Sequence, residues 1–243
     1  SWENEMESLT AKLSTKVKYQ QFRVWLVGDT PLITNAWSEK AKRQMLGTQV
    51  GAIKAGKEKR DPEADFVSSL YEMTPGVYGF PVTGIKKCIL SAAHKDKGIP
   101  KTEVLASLWV NGEMTRVRPA LAGAICDMPL IRIWGSEPEM REDMVKVGKG
   151  LNKTASLAYR AQFTVWAFCL TGRFDPATLK EEALGFLIEQ AGNRAGLGER
   201  RNERSGVFGA FHMADATEEK DWEAFAAGKG PLPVPSYYEM AAE

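Results

Sequence analysis

Two pentapeptides far apart in the chain, Gln21-Phe22-Arg23-Val24-Trp25 and Gln162-Phe163-Thr164-Val165-Trp166, share four identities in five positions. Each lies in a run of aromatic and β-branched residues, Gln21 to Val27 and Gln162 to Leu170, that leads into a turn and then a helical pattern. Such runs form strands, and a strand of this kind must hide at least one face. The echo reads as an internal duplication or as a chance match between two β-rich pentamers, and both stay open. Two βα units with antiparallel partners point to an α+β chain. The arrangement they suggest is a ferredoxin-like, RRM-like βαββαβ palm with an antiparallel sheet, its first and third strands side by side at the centre.

Other segments fill in that plan. Ser38 reads as an N-cap for a short helix from Glu39 to Leu46, and Asp61-Pro62 opens a second helical stretch. Tyr78 to Val82 is a short strand. After Gly84 a helix gathers Ile85, Cys88, Ile89, Ala92 and Ala93 on one face. Val104 to Val110, Arg116 to Pro119 and Leu130 to Trp134 read as strands, and Ser136 to Gly150 as a charged excursion without a period. Asp175-Pro176 caps a helix that Gly192 stops, and Val207 to Met213 is the closing strand. One domain over residues 1–243 is expected, with a core of about 19–213 and an acidic, proline-rich tail over 214–243.

The formal net charge of +1 conceals an uneven distribution. Glu39 to Arg60 holds seven basic and two acidic residues, and Arg141 to Arg160 five and two. Ala214 to Glu243 reverses the balance with seven acidic and two basic. A basic groove and an acidic edge fit that pattern. With 44% apolar residues the chain has the material for a sizeable core. No apolar run is long enough for a membrane span, and Ser1 to Lys18 lacks the apolar stretch of a secretory signal. Three separated cysteines, Cys88, Cys126 and Cys169, argue against disulfides or zinc, so a cytoplasmic protein is expected.

Catalytic signatures are missing. There is no phosphate-cradling Gly-x-x-x-x-Gly-Lys-Ser/Thr, no Gly-x-Ser-x-Gly and no His-Glu-x-x-His. The two histidines, His94 and His212, stand apart from any cysteine or carboxylate cluster in the sequence and read as ordinary surface or half-buried side chains. No enzyme activity, cofactor or metal is expected.

The positive signals concern anions. Lys86 and Lys87 follow Gly84 in what reads as the first turn of a helix, where free N–H groups and the dipole favour phosphate. A plain strand–helix turn with surface lysines fits equally well. Gly196 to Gly209 combines four glycines with Arg200, Arg201 and Arg204, residues suited to phosphate and to stacking on bases. Glu199 and Glu203 open the alternative of a surface loop laced by ion pairs. The segment with Lys40, Lys42, Arg43, Lys54, Lys57, Lys59 and Arg60 reads as a flexible basic loop able to reach across a nucleic-acid strand, or as a solvated loop. Lys146, Lys149 and Lys153 make a further basic stretch. Trp25, Trp37, Trp109, Trp134 and Trp166 offer stacking surfaces, though most are expected in the core.

Three motifs in order resemble the RAMP superfamily, which forms the backbone of CRISPR effector complexes. They are Leu26-Val27-Gly28-Asp29-Thr30-Pro31-Leu32-Ile33, then Phe80-Pro81-Val82-Thr83-Gly84 running into its helix, then the glycine-rich loop Gly196 to Gly209. Met140 to Gly148 is also similar to phage and prophage proteins of this type. The resemblance implies an RRM-like palm that polymerises along single-stranded RNA or a guide–target duplex. It places Lys40, Lys42, Arg43, Lys86, Lys87, Arg200, Arg201 and Arg204 at the nucleic acid. Some members cleave RNA with a loop aspartate, for which Asp29 or Asp61 are the nominees here.

The function expected is that of a non-catalytic subunit that oligomerises, as a filament or other repeating assembly, along single-stranded RNA or DNA, without a membrane. The alternatives are a structural self-assembling protein free of nucleic acid and a metal-dependent nuclease. The spaced prolines of the tail favour an extended segment, so Trp222, Phe225, Tyr237 and Tyr238 need another surface. That surface is a neighbouring subunit or, nearly as well, the tail's own domain.

Overall fold

The first long strand, β1 (Gln20–Gly28), forms where its aromatic and β-branched residues predict it, and its alternating side chains serve two different layers. In the computed structural model, which describes residues 18–36, 42–43, 45–47, 61–95, 99–117, 125–147 and 154–234, the chain is mixed α/β with antiparallel sheets. In chain order come β2 (Leu32–Thr34), α1 (Pro62–Ser68), β3 (Glu72–Thr74), β4 (Val77–Pro81), α2 (Val82–Lys95), α3 (Lys101–Ser107), β5 (Leu108–Val110) and β6 (Glu113–Arg116). There follow β7 (Asp127–Arg132), β8 (Trp134–Gly135), β9 (Glu139–Val147), β10 (Thr154–Phe163), β11 (Trp166–Phe174), α4 (Glu181–Arg194), β12 (Phe211–Met213) and α5 (Ala216–Ala226).

The central sheet runs β12-β1-β11-β5, with β8 added beside β11. β1 and β11 pair antiparallel from Gln20↔Phe174 to Val27↔Ala167. One face carries Phe22, Val24 and Leu26 from β1 with Trp166, Phe168, Leu170 and Phe174 from β11. Ile85 and Ile89 of α2 and Leu184, Leu187 and Ile188 of α4 close over that face to make the main core. The other face carries Trp25, Val27 and Ala167, and α5 covers it with Trp222. Two smaller sheets, β2-β10-β9 and β3-β4-β7-β6, flank this body.

Several sequence expectations change for physical reasons. Val104 to Ser107 is helix, the end of α3, and only Leu108–Val110 is strand. The apolar run Val104-Leu105-Ala106 fits either period, and burial of Val104 against the main core decides for helix. The run from Gln162 to Leu170 is two strands, not one. It bends at Thr164 and Val165, leaves the sheet of β9 and β10, and enters the central sheet as β11. The pentapeptide echo therefore does not mark equivalent positions. Trp25 sits inside β1 on the α5 side, whereas Trp166 starts β11 on the side of α2 and α4.

The charged stretch after Ser136 is not an excursion, because it contains the nine-residue strand β9, paired along its length with β10. Gly192 does not stop α4, which continues to Arg194. A Cβ at Gly192 would lie 1.8 Å from the carbonyl oxygen of Phe211, so glycine lets the helix lie directly on β12. The residues after Met213 are not an extended strap over their whole length. Asp215 caps α5 with a full capping box, accepting from the N–H groups of Thr217 and Glu218 at 2.7 and 2.9 Å. Trp222 is 1% exposed, so the core extends past residue 213 and this aromatic packs against its own domain. Tyr237 and Tyr238 lie outside the described residues. All three cysteines are free thiols, and among the described residues no helix is long and apolar enough to cross a membrane.

Candidate nucleic-acid interface

The glycine-rich loop follows α4 and is held by its own backbone. Leu197 and Gly209 exchange close backbone contact, with the Leu197 N–H donating to Gly209 O at 2.8 Å. Gly209 has φ +69°, and a Cβ there would fall 1.9 Å from the Leu197 carbonyl oxygen. Gly198 has φ +75° and abuts the Ile33 carbonyl oxygen at 2.3 Å from where its Cβ would be. These two positions need glycine for both reasons. Glu199 N–H donates to Ile33 O at 2.9 Å, which ties the loop to β2. Cys88 Sγ on α2 donates to Gly196 O at 3.2 Å and pins the other end.

Across from this loop, β4 runs straight into α2 through Pro81. The helix starts at Val82, two residues before Gly84, so Lys86 and Lys87 occupy its second turn rather than its first. Thr83, Gly84, Lys87 and Cys88 of α2 and Gly196, Leu197, Gly198 and Arg201 of the loop line one cleft of about 340 Å³, together with Asn35 and Tyr71. Two of the sequence motifs thus meet in one concavity, near the lower end of the ~300–1,000 Å³ range of ligand sites.

The acidic residues of the loop are all engaged. Glu203 pairs with Arg201 at 3.3 Å and accepts from Ser91. Glu199 pairs with Arg160 at 3.2 Å and accepts from the Asn35 amide. Burial, with the Glu199 charge second, pushes the Tyr71 phenol up from its ordinary value. Arg201 also donates to Gly198 O at 3.0 Å, so its guanidinium is positioned at the cleft wall. Lys87 and Arg204 are exposed, and neither side chain has an ion pair or hydrogen bond among the described residues.

The other nominated residues separate. Arg200 turns away from the cleft with φ +53° and pairs with Asp143 of β9 at 3.2 Å. Asp143 also binds Arg141 at 2.9 Å, and the Arg141 guanidinium lies 4.5 Å from the Phe208 ring. Lys86 leaves α2 about 100° around the helix from Lys87 and meets different neighbours. It donates to Leu105 O at 3.2 Å and lies over the Trp109 ring, and burial lowers its pKa. Lys42 and Arg43 lie on helical backbone near the end of the described N-terminal part and have partners. Lys40, Lys54, Lys57, Lys59, Arg60, Lys149, Lys153 and Trp37 lie outside the described residues, as does the side chain of Lys146.

The two nominated aspartates have structural partners. Asp61 caps α1, accepting from Glu63 and Ala64 N–H groups at 3.1 and 3.2 Å. Asp29 binds His212, which corrects the reading of this histidine as remote from carboxylates. His212 Nδ1 lies 2.6 Å from Asp29 and Nε2 3.0 Å from Glu218, so the ring joins the end of β1, β12 and the start of α5. The hydrogen bond to Asp29 dominates and, with Glu218, raises the His212 pKa to about 9 against the cost of burial. The two carboxylates lie 183 and six positions away in the chain, a juxtaposition that no sequence motif announces.

Among solved structures the chain is similar to the crystal structure of Cmr6 from Pyrococcus furiosus, with a TM-score of 0.37 and 10% sequence identity over 82% of this chain and 100% of that one. No protein-family model matches the chain, and no curated protein matches it.

Proposed function

We propose that this chain is a non-catalytic subunit that binds single-stranded nucleic acid, RNA or DNA, in the cleft between α2 and the glycine-rich loop, and that copies assemble along the strand. The observation that carries the reading is the convergence of that loop, the first turns of α2, Lys87 and Arg201 on one concavity. Backbone close to the cleft wall, a free cation and a guanidinium suit a sugar–phosphate chain and carry little sequence information. The ordered RAMP-like motifs support it, since two of the three line this cleft and the first leads into β2, on which the loop rests.

The strand order supports a ferredoxin-like palm. With β1, β5, β11 and β12 as palm strands and α2 and α4 as the crossover helices, the order β12-β1-β11-β5 is that of a βαββαβ unit, all its neighbours antiparallel. The small sheets and the basic segments are then insertions between palm elements. A non-catalytic role is supported by the engagement of Asp29 with His212 and of Asp61 with α1. The reading is tested by anisotropy of labelled single-stranded RNA and DNA oligomers with wild type and Lys87→Glu. Salt-sensitive binding that the variant weakens at least tenfold is expected. Binding of neither oligomer at low salt, or indifference to Lys87→Glu, overturns it.

A further inference from the structure

Trp109 is 51% exposed, although Trp25, Trp166 and Trp222 are all buried. Its neighbours Leu108 and Val110 point into the main core, so alternation along β5 sends the indole to the opposite side. There it meets two cations. Arg173, its register partner on β11, places its guanidinium carbon 5.5 Å from the indole centroid, and Lys86 places Nζ 5.6 Å from it. Arg173 also reaches the ring of Tyr19, 43% exposed, at 5.0 Å. Rings and cations therefore alternate across the edge of the central sheet as Lys86, Trp109, Arg173 and Tyr19. No carboxylate pairs with Lys86 or Arg173 among the described residues.

Among the described residues, that composition sets the patch apart from the arginines held by carboxylates; Arg132 over Trp134, at 3.6 Å, is a single cation–ring pair. Arg23 is held by Glu219 and Glu223, Arg141 and Arg200 share Asp143, and Arg160 is held by Glu199. Exposed aromatic rings interleaved with unpaired cations fit a polyanion that carries flat apolar groups, the description of an unstacked nucleic-acid strand. Position supplies the second argument. Lys86 and Lys87 are consecutive on α2 and so point about 100° apart. Lys87 lines the cleft while Lys86 touches Trp109, so the two surfaces flank one turn of one helix, separated by less than its width of ~10–12 Å.

We propose that Trp109, flanked by Arg173 and Lys86, is a base-stacking platform for the segment of a single-stranded nucleic acid that continues past the cleft. The inference rests on the nucleic-acid reading of that cleft. A base lies on the exposed surface of the indole, and the guanidinium and ammonium meet the phosphates on either side.

The experiment is anisotropy with three labelled probes: oligouridylate, oligothymidylate and an abasic oligomer of the same length. The proteins are wild type, Trp109→Ala, Trp109→Phe and Lys87→Glu. Trp109→Ala is expected to weaken the base-bearing oligomers roughly ten- to a hundredfold, leave the abasic oligomer unchanged, and be rescued by Trp109→Phe. Equal loss on all three probes, or no loss on any, overturns the platform. Failure of the two readings is distinguishable. Loss with Lys87→Glu alone overturns the platform and keeps the cleft. Loss with Trp109→Ala alone, confined to base-bearing probes, keeps a platform and overturns the cleft. Absence of binding by wild type overturns both. Circular dichroism melting accompanies each variant, and Arg173→Gln, which keeps the ring, is expected to weaken all three probes.

Discussion

Trp25 and Trp222 stack with centroids 6.2 Å apart and planes at 22°, and this contact seals the face of the central sheet opposite α2 and α4. Phe225 meets Trp222 edge-on at 5.9 Å, and Glu219 and Glu223 hold Arg23 beside them at 3.3 and 2.6 Å. The helix α5 is therefore an integral layer of the fold. Trp222→Ala is expected to cost about 3–5 kcal/mol, the usual range for deleting a fully buried large aromatic. Urea unfolding followed by circular dichroism measures it, and a cost under ~1 kcal/mol would show that α5 is detachable.

Gly209→Ala is a backbone test of the loop. The new Cβ collides with Leu197 O, and the positive φ disfavours any L side chain. A stability loss of at least ~2 kcal/mol is expected, together with weakened oligomer binding, because the cleft wall must move.

The two neighbouring arginines of the loop are expected to behave differently. Arg201→Ala removes a group from the cleft wall and leaves the partly exposed Glu203, so binding falls while the melting temperature barely moves. Arg200→Ala removes a partner from Asp143, whose side chain is only 10% exposed, and lowers stability by about 1–2 kcal/mol. Thermal melts and anisotropy on the single variants separate the two effects. Equal effects on both readouts would show that the loop acts as one unit.

Stability should depend on His212 at alkaline pH. Its folded pKa, about 9, lies above its ordinary 6.5. A raised folded pKa means that the contribution is complete below about 6.5 and is lost as pH rises through about 9. After solvent screening the loss is about 1–2 kcal/mol. Urea midpoints from pH 6 to 9.5 should fall in wild type and be flatter in His212→Gln. Parallel curves would place the titration elsewhere.

If one subunit neutralises about three to five phosphates, the slope of log K against log salt should be roughly −2 to −3.5. A flat response between low and moderate salt would exclude phosphate tracking.

Where the residues that decide a structure are neighbours in the chain, they were readable. Asp61-Pro62 does begin α1, the 3.6-residue pattern from Ile85 to Ala93 does bury one face of α2, and β1 lies where Phe22 to Val27 put it. β9 was hidden because Arg141 and Asp143 on one side and Glu142 on the other give no apolar alternation, and the strand is specified instead by pairing with β10. The bend at Thr164 and Val165 has no glycine or proline to mark it. The site was half legible: glycines and arginines near residue 200 stand out, but the inward turn of Arg201 and the outward turn of Arg200 depend on a positive φ that the residue type does not encode. Lys86 and Lys87 read as one basic pair, and only the placement of α2 shows them on different surfaces.

The central sheet ends in two three-residue strands, β12 and β5. A second copy trying to extend that sheet from β12 or β5 would find only a three-residue ladder on either strand, too short to be durable. The nine-residue β9 is the longer border, in the outer sheet, and Glu139, Arg141, Glu142 and Asp143 along it discourage uninvited strands in the way that charged borders do. Copies of this chain held close together would therefore have little bare backbone through which to zip into amyloid-like ribbons.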